Sequence, residues 1–319
     1  MKSKFQYAIS AARHSFGGAV CSGAFLLIAF SAQAQNLFEA DSGSGYVYEF
    51  TPGGIQSTYA SGLSSPSGLA VDSVGNLFVS LQNSGINNSG SIIKIAPGGV
   101  QSLFASGLSR PTSLTINSAG DLFESDYGTG NIYEFTPGGV QSTYASGLDG
   151  PESVAFDSTG DLFVADQLSG SVTKIAPGGV QSTFASGLAF PGGLAFNSAG
   201  DLFVVDYNSG NIFEYTPGGA QSTFASGLNR PLDPVFNGTG NLFVSVWGDG
   251  GYTSNTNGNI FEYTPGGVQS TFASGLDFPE ALAFQPVPEP PAFGLLAVGA
   301  GVLLVCRGRR CTTTTLCQR

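Results

Sequence analysis

Carboxylates are the main reactive groups this sequence offers. Asp41, Asp126, Asp166 and Asp206 each end a short apolar run of the form LF-x-x-D, and Glu152, Asp233 and Glu280 each follow a lone proline within two residues. Recurring carboxylates can collect a hard cation such as Ca2+ through oxygen ligands. Asp126, Asp166, Asp206, Glu152 and Asp233 are therefore the candidate metal ligands. The plainer reading of the same aspartates is that each caps the bend after it by accepting hydrogen bonds from nearby backbone. A second kind of chemistry is offered by WGDGGYTSNTNG (247–258), which holds the only tryptophan. Trp247 and Tyr252 present flat apolar faces suited to a sugar ring, with Asp249 between them as the segment's sole carboxylate. The bland counterpart is drift in a tolerant loop.

What is missing narrows the chemistry further. The single histidine is His14, and the four cysteines are Cys21, Cys306, Cys311 and Cys317, so residues 35–286 contain neither type. This excludes from that region Ser-His-Asp and Cys-His nucleophiles, zinc sites with N or S ligands, haem ligation by His or Cys, and histidine acid–base work. The region's cations are Lys94, Arg110, Lys174 and Arg230, against twenty-one of the chain's 22 Asp and Glu (Glu289 lies outside), a balance of −17. No basic face can be assembled, which excludes nucleic acid as a partner. Such acidity suits solubility outside a cell, or cation binding.

These residues are carried on a repeat. The pattern LF, G-N/S-I/V, PGG, QS-T/L-F/Y-ASGL and a lone Pro runs six times from Asn36 to Pro286, with copies starting at Asn36, Asn76, Asp121, Asp161, Asp201 and Asn241. Most starts are forty residues apart, the period of a stacked supersecondary unit. Within a unit, VAFD (154–157) and LFVAD (162–166) flank a tight turn and read as a hairpin. NIYEFT (131–136) is β-branched and aromatic, Pro137-Gly138-Gly139 ends it, and VQSTYAS (140–146) alternates. No window has helical periodicity. Four short antiparallel strands repeated six times predict an all-β, six-bladed β-propeller. The chain enters its first unit midway with NLFEAD (36–41) and leaves its last with PEALAF (279–284). The strand 279–284 is therefore expected to join the first blade and close the ring, which removes a free sheet edge.

PSGLAVDSVGNLFVS (66–80) and PESVAFDSTGDLFVADQLSGSVTKIAPGG (151–179) resemble the NHL type of propeller repeat, and the likeness extends over 36–286. Six-bladed rings of this kind include gluconolactonases, calcium-regulated lactonases and a streptogramin-type lyase. The lyase resemblance implies a catalytic histidine, which residues 35–286 lack. The lactonase resemblance implies one Glu, one Asn and one Asp converging on a divalent cation in the channel. The positions after the blade-opening proline read Ser67, Thr112, Glu152, Gly192, Leu232 followed by Asp233, and Glu280, so the Asn is absent.

The two ends differ from the repeats. Lys2, Lys4 and Arg13, the apolar run Phe16–Phe30 and Ala32-Gln33-Ala34 read as a secretory signal peptide spanning 1–34. After Pro286, the motif Val287-Pro288-Glu289-Pro290, an apolar segment (292–306) and Arg307, Arg309 and Arg310 resemble a PEP-CTERM sorting tail over 287–319. That resemblance implies an exosortase-type membrane protease as partner, after signal peptidase, in a Gram-negative bacterium that makes exopolysaccharide. The nine residues beyond Arg310 depart from the pattern. A simple C-terminal anchor is the alternative, although fifteen apolar residues are short for a span.

Two function classes follow. One is an exported, non-catalytic scaffold, transiently held in the inner membrane by its tail and then at the cell surface or in the matrix, with exopolysaccharide or surface proteins as partners. The other is a divalent-metal-dependent, lactonase-like hydrolase using channel carboxylates. No cofactor is expected beyond Ca2+.

Overall fold

The computed structural model describes residues 35–83, 88–248 and 257–286. These form twenty-four strands in six antiparallel four-stranded sheets, with no helix among the described residues. The innermost strands are Pro66–Val71 (β4), Pro111–Ile116 (β8), Pro151–Phe156 (β12), Pro191–Phe196 (β16), Pro231–Phe236 (β20) and Pro279–Phe284 (β24). Next to them lie Leu77–Leu81 (β5), Leu122–Asp126 (β9), Leu162–Asp166 (β13), Leu202–Asp206 (β17), Leu242–Val246 (β21) and Leu37–Asp41 (β1). The remaining strands complete each blade outward, as Tyr46–Phe50 (β2) and Gln56–Ala60 (β3) do in blade 1.

Blade 1 has the order β24-β1-β2-β3, so the last described strand is its innermost, and blades 2 to 6 start from β4, β8, β12, β16 and β20 in turn. Leu37 pairs with Phe284 and Phe38 with Ala283, and Gln285 N donates to Asn36 O at 2.9 Å. The ring closes as the split repeat predicts.

The LF signature is explained by the seams between blades. Successive side chains on a strand point to opposite faces. Leu202 therefore packs toward blade 4, in a cluster with Phe163, Val204 and Leu194, while Phe203 packs toward blade 6 with Leu242 and Val244. Phe78, Phe123, Phe163, Phe203 and Phe243 meet aromatic rings edge-on, while Phe38 meets Tyr59 tilted. Phe203 lies 5.0 Å from Phe224 and 4.9 Å from Phe236. Edge-to-face pairs at these spacings add to the area each ring buries. The PGG turns follow one pattern: Gly139 N donates to Thr136 O at 2.8 Å with Gly139 at φ 82°, a conformation glycine adopts without strain.

Residues 1–34, the sorting motif Pro288, Glu289, Pro290, Arg307, Arg309 and Arg310, and the loop residues Asp249 and Tyr252 lie outside the described residues. Among those described, no helix is long and apolar enough to cross a membrane.

Candidate functional site

The six inner strands enclose a central channel of about 410 Å³. The side chains that enter it are set by β-bulges. The register of β12 against β13 shifts between Pro151 and Ser153, that of β20 against β21 between Pro231 and Pro234, and that of β24 against β1 opposite Glu39 and Asp41. An extra residue in one strand re-aims its side chain, and Glu152, Asp233 and Glu280 occupy these bulges. All three line the channel and are half-buried.

Around the rest of the wall the same positions carry hydroxyls or nothing. Ser67 Oγ donates to Pro111 O at 2.7 Å and Thr112 Oγ1 to Pro151 O at 3.1 Å, each lacing its blade to the next. Gly192 brings no side chain. Glu280 Oε1 accepts from Ser42 Oγ at 3.0 Å, and Asp233 Oδ2 accepts from Leu282 N at 2.8 Å.

Burial raises all three acids. Glu152 is pushed up to about 7, with Arg110 opposing the rise. Asp233 is pushed up to about 7 against the hydrogen bond from Leu282 N. Glu280 reaches about 8, because the charge of Glu152, in the blade opposite, adds to burial, and Asp41 and Asp233 add less. A set poised like this holds both protonated and ionised carboxyls near neutral pH, the condition for general acid–base work.

The aspartates that end the LF-x-x-D strands sit elsewhere, at the rim. Asp126 Oδ2 accepts from Ser109 N at 2.7 Å and its Oδ1 from Thr129 N at 3.0 Å. Asp166 accepts from Asp149 N at 3.1 Å and Thr173 Oγ1 at 2.8 Å, and Asp206 from Ala189 N at 2.7 Å and Ser209 N at 3.2 Å. Asp126 and Asp206 thus fasten a local turn and Asp166 the adjacent strand at Thr173, and each also fastens the link arriving from the previous blade. The second contact was not legible in the sequence, since it spans about seventeen residues. Asp126, Asp166 and Asp206 at the rim and Glu152 and Asp233 in the channel are not gathered into one coordination sphere. Among the described residues no three acidic, His or Cys side chains are placed to hold a metal ion.

In blades 2 and 6 the rim aspartate is replaced by Leu81 and Val246. In blade 6 the link makes two backbone hydrogen bonds, Trp247 N to Arg230 O and Gly248 N to Asn229 O, both 3.2 Å. Beside it runs a groove of about 640 Å³ between blades 5 and 6, whose lining includes Ser226, Asn229, Asn257, Asn259, Phe261 and Gln269. Trp247 is half-buried and wedged edge-on between Tyr207 at 5.8 Å and Phe278 at 5.1 Å. It packs a turn of blade 5 against the link between blades 6 and 1, a use that its place in a long loop did not reveal.

Sequence reading also missed two acids, Glu39 and Glu124, which are fully buried. Their signal was available, because the equivalent residue in the other four repeats is Val79, Val164, Val204 or Val244.

No known protein family and no curated protein matches the chain. Solved structures do. The structure of a nidogen/laminin complex is matched with TM-score 0.69 at 17% identity, over 80% of this chain and 100% of that one. Virginiamycin B lyase from Staphylococcus aureus gives TM-score 0.57 at 15% identity over 76% and 85% of the two chains. A candidate gluconolactonase gives 0.57 at 17% over 70% and 82%. Identities this low establish the fold alone, a six-bladed β-propeller with nidogen-like and lactonase-like structural neighbours.

Proposed function

We propose that this chain is an exported, non-catalytic binding scaffold of the extracellular polysaccharide layer, taking its ligand in the groove between blades 5 and 6. The observation that carries this reading is the groove itself, formed where the repeat abandons its rim aspartate for Val246. Its amides and hydroxyls can pair with vicinal sugar hydroxyls, and Phe261 offers an aromatic surface. The named lining side chains carry no charge, which favours a neutral glycan over an ion. Export and surface sorting rest on the 1–34 leader and the 287–319 tail. The nidogen propeller, solved in a complex with laminin, is a neighbour named for binding.

Dextran, a neutral polysaccharide, is a direct probe. Trp247 lies in the chain between the groove residues Val246 and Gly248 and is the only tryptophan, so its fluorescence should report binding. Asn259→Ala with Gln269→Ala should weaken binding by the ~1–3 kcal/mol typical of well-placed contacts. Equal affinity in the double variant would move the site elsewhere.

A second reading, hydrolysis in the channel, is favoured by the raised carboxyls Glu152, Asp233 and Glu280. The cation-dependent form fits these residues poorly, since the Asn is missing and Asp233 Oδ2 already accepts from Leu282 N. The virginiamycin B lyase structures include a catalytically inactive histidine-to-alanine variant, and residues 35–286 offer no histidine. Melting with and without Ca2+ tests the cation-dependent form, because a bound cation raises the midpoint by mass action.

A further inference from the structure

Two carboxylates serve neither the channel wall nor the rim. Glu39 in β1 and Glu124 in β9 are each 0% exposed, and no oxygen of either has a hydrogen-bond partner. Their surroundings are apolar. Glu39 shares a strand face with Leu37 and pairs across to Leu282 and Tyr48. Those three residues belong to the cluster between blades 6 and 1, with Phe243 and Ile260. Glu124 shares a face with Leu122 and pairs with Leu114 and, on Asn131–Phe135 (β10), with Tyr133, all in the cluster between blades 2 and 3.

The repeat shows what each meets across its seam. Ala40 and Val79, Ala165 and Val204, and Val205 and Val244 share clusters at the corresponding places. By that equivalence Ser245 stands opposite Glu39 and Ser80 opposite Glu124. Both hydroxyls are committed elsewhere. Ser245 Oγ donates to Glu280 O at 2.9 Å and accepts from Asp233 N at 3.1 Å, while Ser80 Oγ lies 2.9 Å from Ser67 Oγ and accepts from Gly68 N at 2.7 Å.

We propose that Glu39 and Glu124 act as protonated wedges that make two of the six blade seams pH-sensitive. The seams between blades 6 and 1 and between blades 2 and 3 hold while these carboxyls are neutral and loosen when they ionise. The first of them is also where the ring is closed by β24.

Other titratable groups reinforce the effect. Around Glu39 stand Asp41 on its own strand, Tyr48 on β2, Glu280 on β24 and, beyond Leu282, Asp233 of blade 6. Around Glu124 stand Asp126 on its own strand and Tyr133 on β10, while β8 and β5 present Leu114, Ser113 and Ser80. Lys94 of blade 2 lies over the Phe78 ring at 5.4 Å, and Arg110 lies over Tyr127 at 4.2 Å. Burial raises both carboxyls well above the usual range, with Asp41 and then Glu280 adding for Glu39 and Asp126 adding for Glu124. An acid raised in the fold carries no penalty below its unfolded value of about 4.3, and stability is lost as pH climbs from there toward the folded value.

Valine, the residue of the other four blades, supplies the test. Thermal melts of the full chain, Glu39→Val, Glu124→Val and the double variant are compared from pH 4.5 to 9.5. The midpoints should lie closest together at pH 4.5 and spread steadily with rising pH, the double variant standing several degrees above the parent at the alkaline end. Curves that stay parallel across the range would overturn the proposal. Should a valine variant fail to fold, Glu39→Gln and Glu124→Gln replace it, with protons released on unfolding at pH 7 counted by calorimetry in buffers of different ionisation enthalpy. Each glutamine should remove about one released proton, and an unchanged count overturns the proposal equally.

Discussion

Ser42 Oγ donates to Glu280 Oε1 at 3.0 Å, so a turn of the first repeat holds a carboxylate delivered by the last strand. Closure of the ring and construction of the channel are therefore one event. Glu280 enters the wall only because β24 pairs with β1.

Removing that strand should undo both. A chain ending at Leu276 leaves the inner edge of β1 without Phe284, Ala283 and Leu282, and an unpaired edge flanked by apolar seams is a site for fraying and aggregation. Calorimetry should show a broad transition at lower temperature. A melt as sharp as that of the full chain would contradict the closure.

The channel acids should make stability fall with rising pH. Glu152 and Asp233 are raised to about 7 and Glu280 to about 8. Well below its unfolded value, about 3.9 for Asp233 and about 4.3 for the glutamates, each is neutral in fold and unfolded chain alike. Above it each ionises first in the unfolded chain and so lowers stability until its folded value is reached. At the steepest the loss approaches about 1.4 kcal/mol per pH unit for one group. Glu280→Gln should match the parent near pH 4 and exceed it near pH 8 in urea titrations at the two values.

Rim staples can be tested singly. Asp206 accepts from Ala189 N, Phe190 N and Ser209 N, so Asp206→Ala leaves several donors unsatisfied at a residue 1% exposed. The expected cost is about 1–3 kcal/mol, read as a lower urea midpoint with unchanged slope. A loss below about 0.5 kcal/mol, the range of ordinary surface changes, would mean that the carboxylate does not secure the link.

Sorting is tested through the tail. Replacing Pro288, Glu289 and Pro290 by alanine should leave an unprocessed form in the membrane fraction, detected as a larger band on immunoblots. Equal amounts of mature protein outside the cell for both variants would end the sorting proposal.

Much of this protein was legible before any coordinates. A forty-residue period, LF runs, PGG turns and a split first unit dictate strands, turns and ring closure, because each rests on local backbone preference or on alternation along one strand. The absence of His and Cys from 35–286 limited the chemistry just as early. What tertiary structure alone decided is which side chains meet. Glu152 and Glu280 lie far apart in the chain, and only the curvature of the ring sets them across one channel. The bulges that aim them depend on register between strands, which no single strand encodes. Rim aspartates looked alike in sequence whether they capped bends or gathered a cation, and the arriving links of the preceding blades resolved their role. Glu39 and Glu124 were ordinary acids in a list until the seams closed over them, since burial belongs to the packed ring and not to the residue.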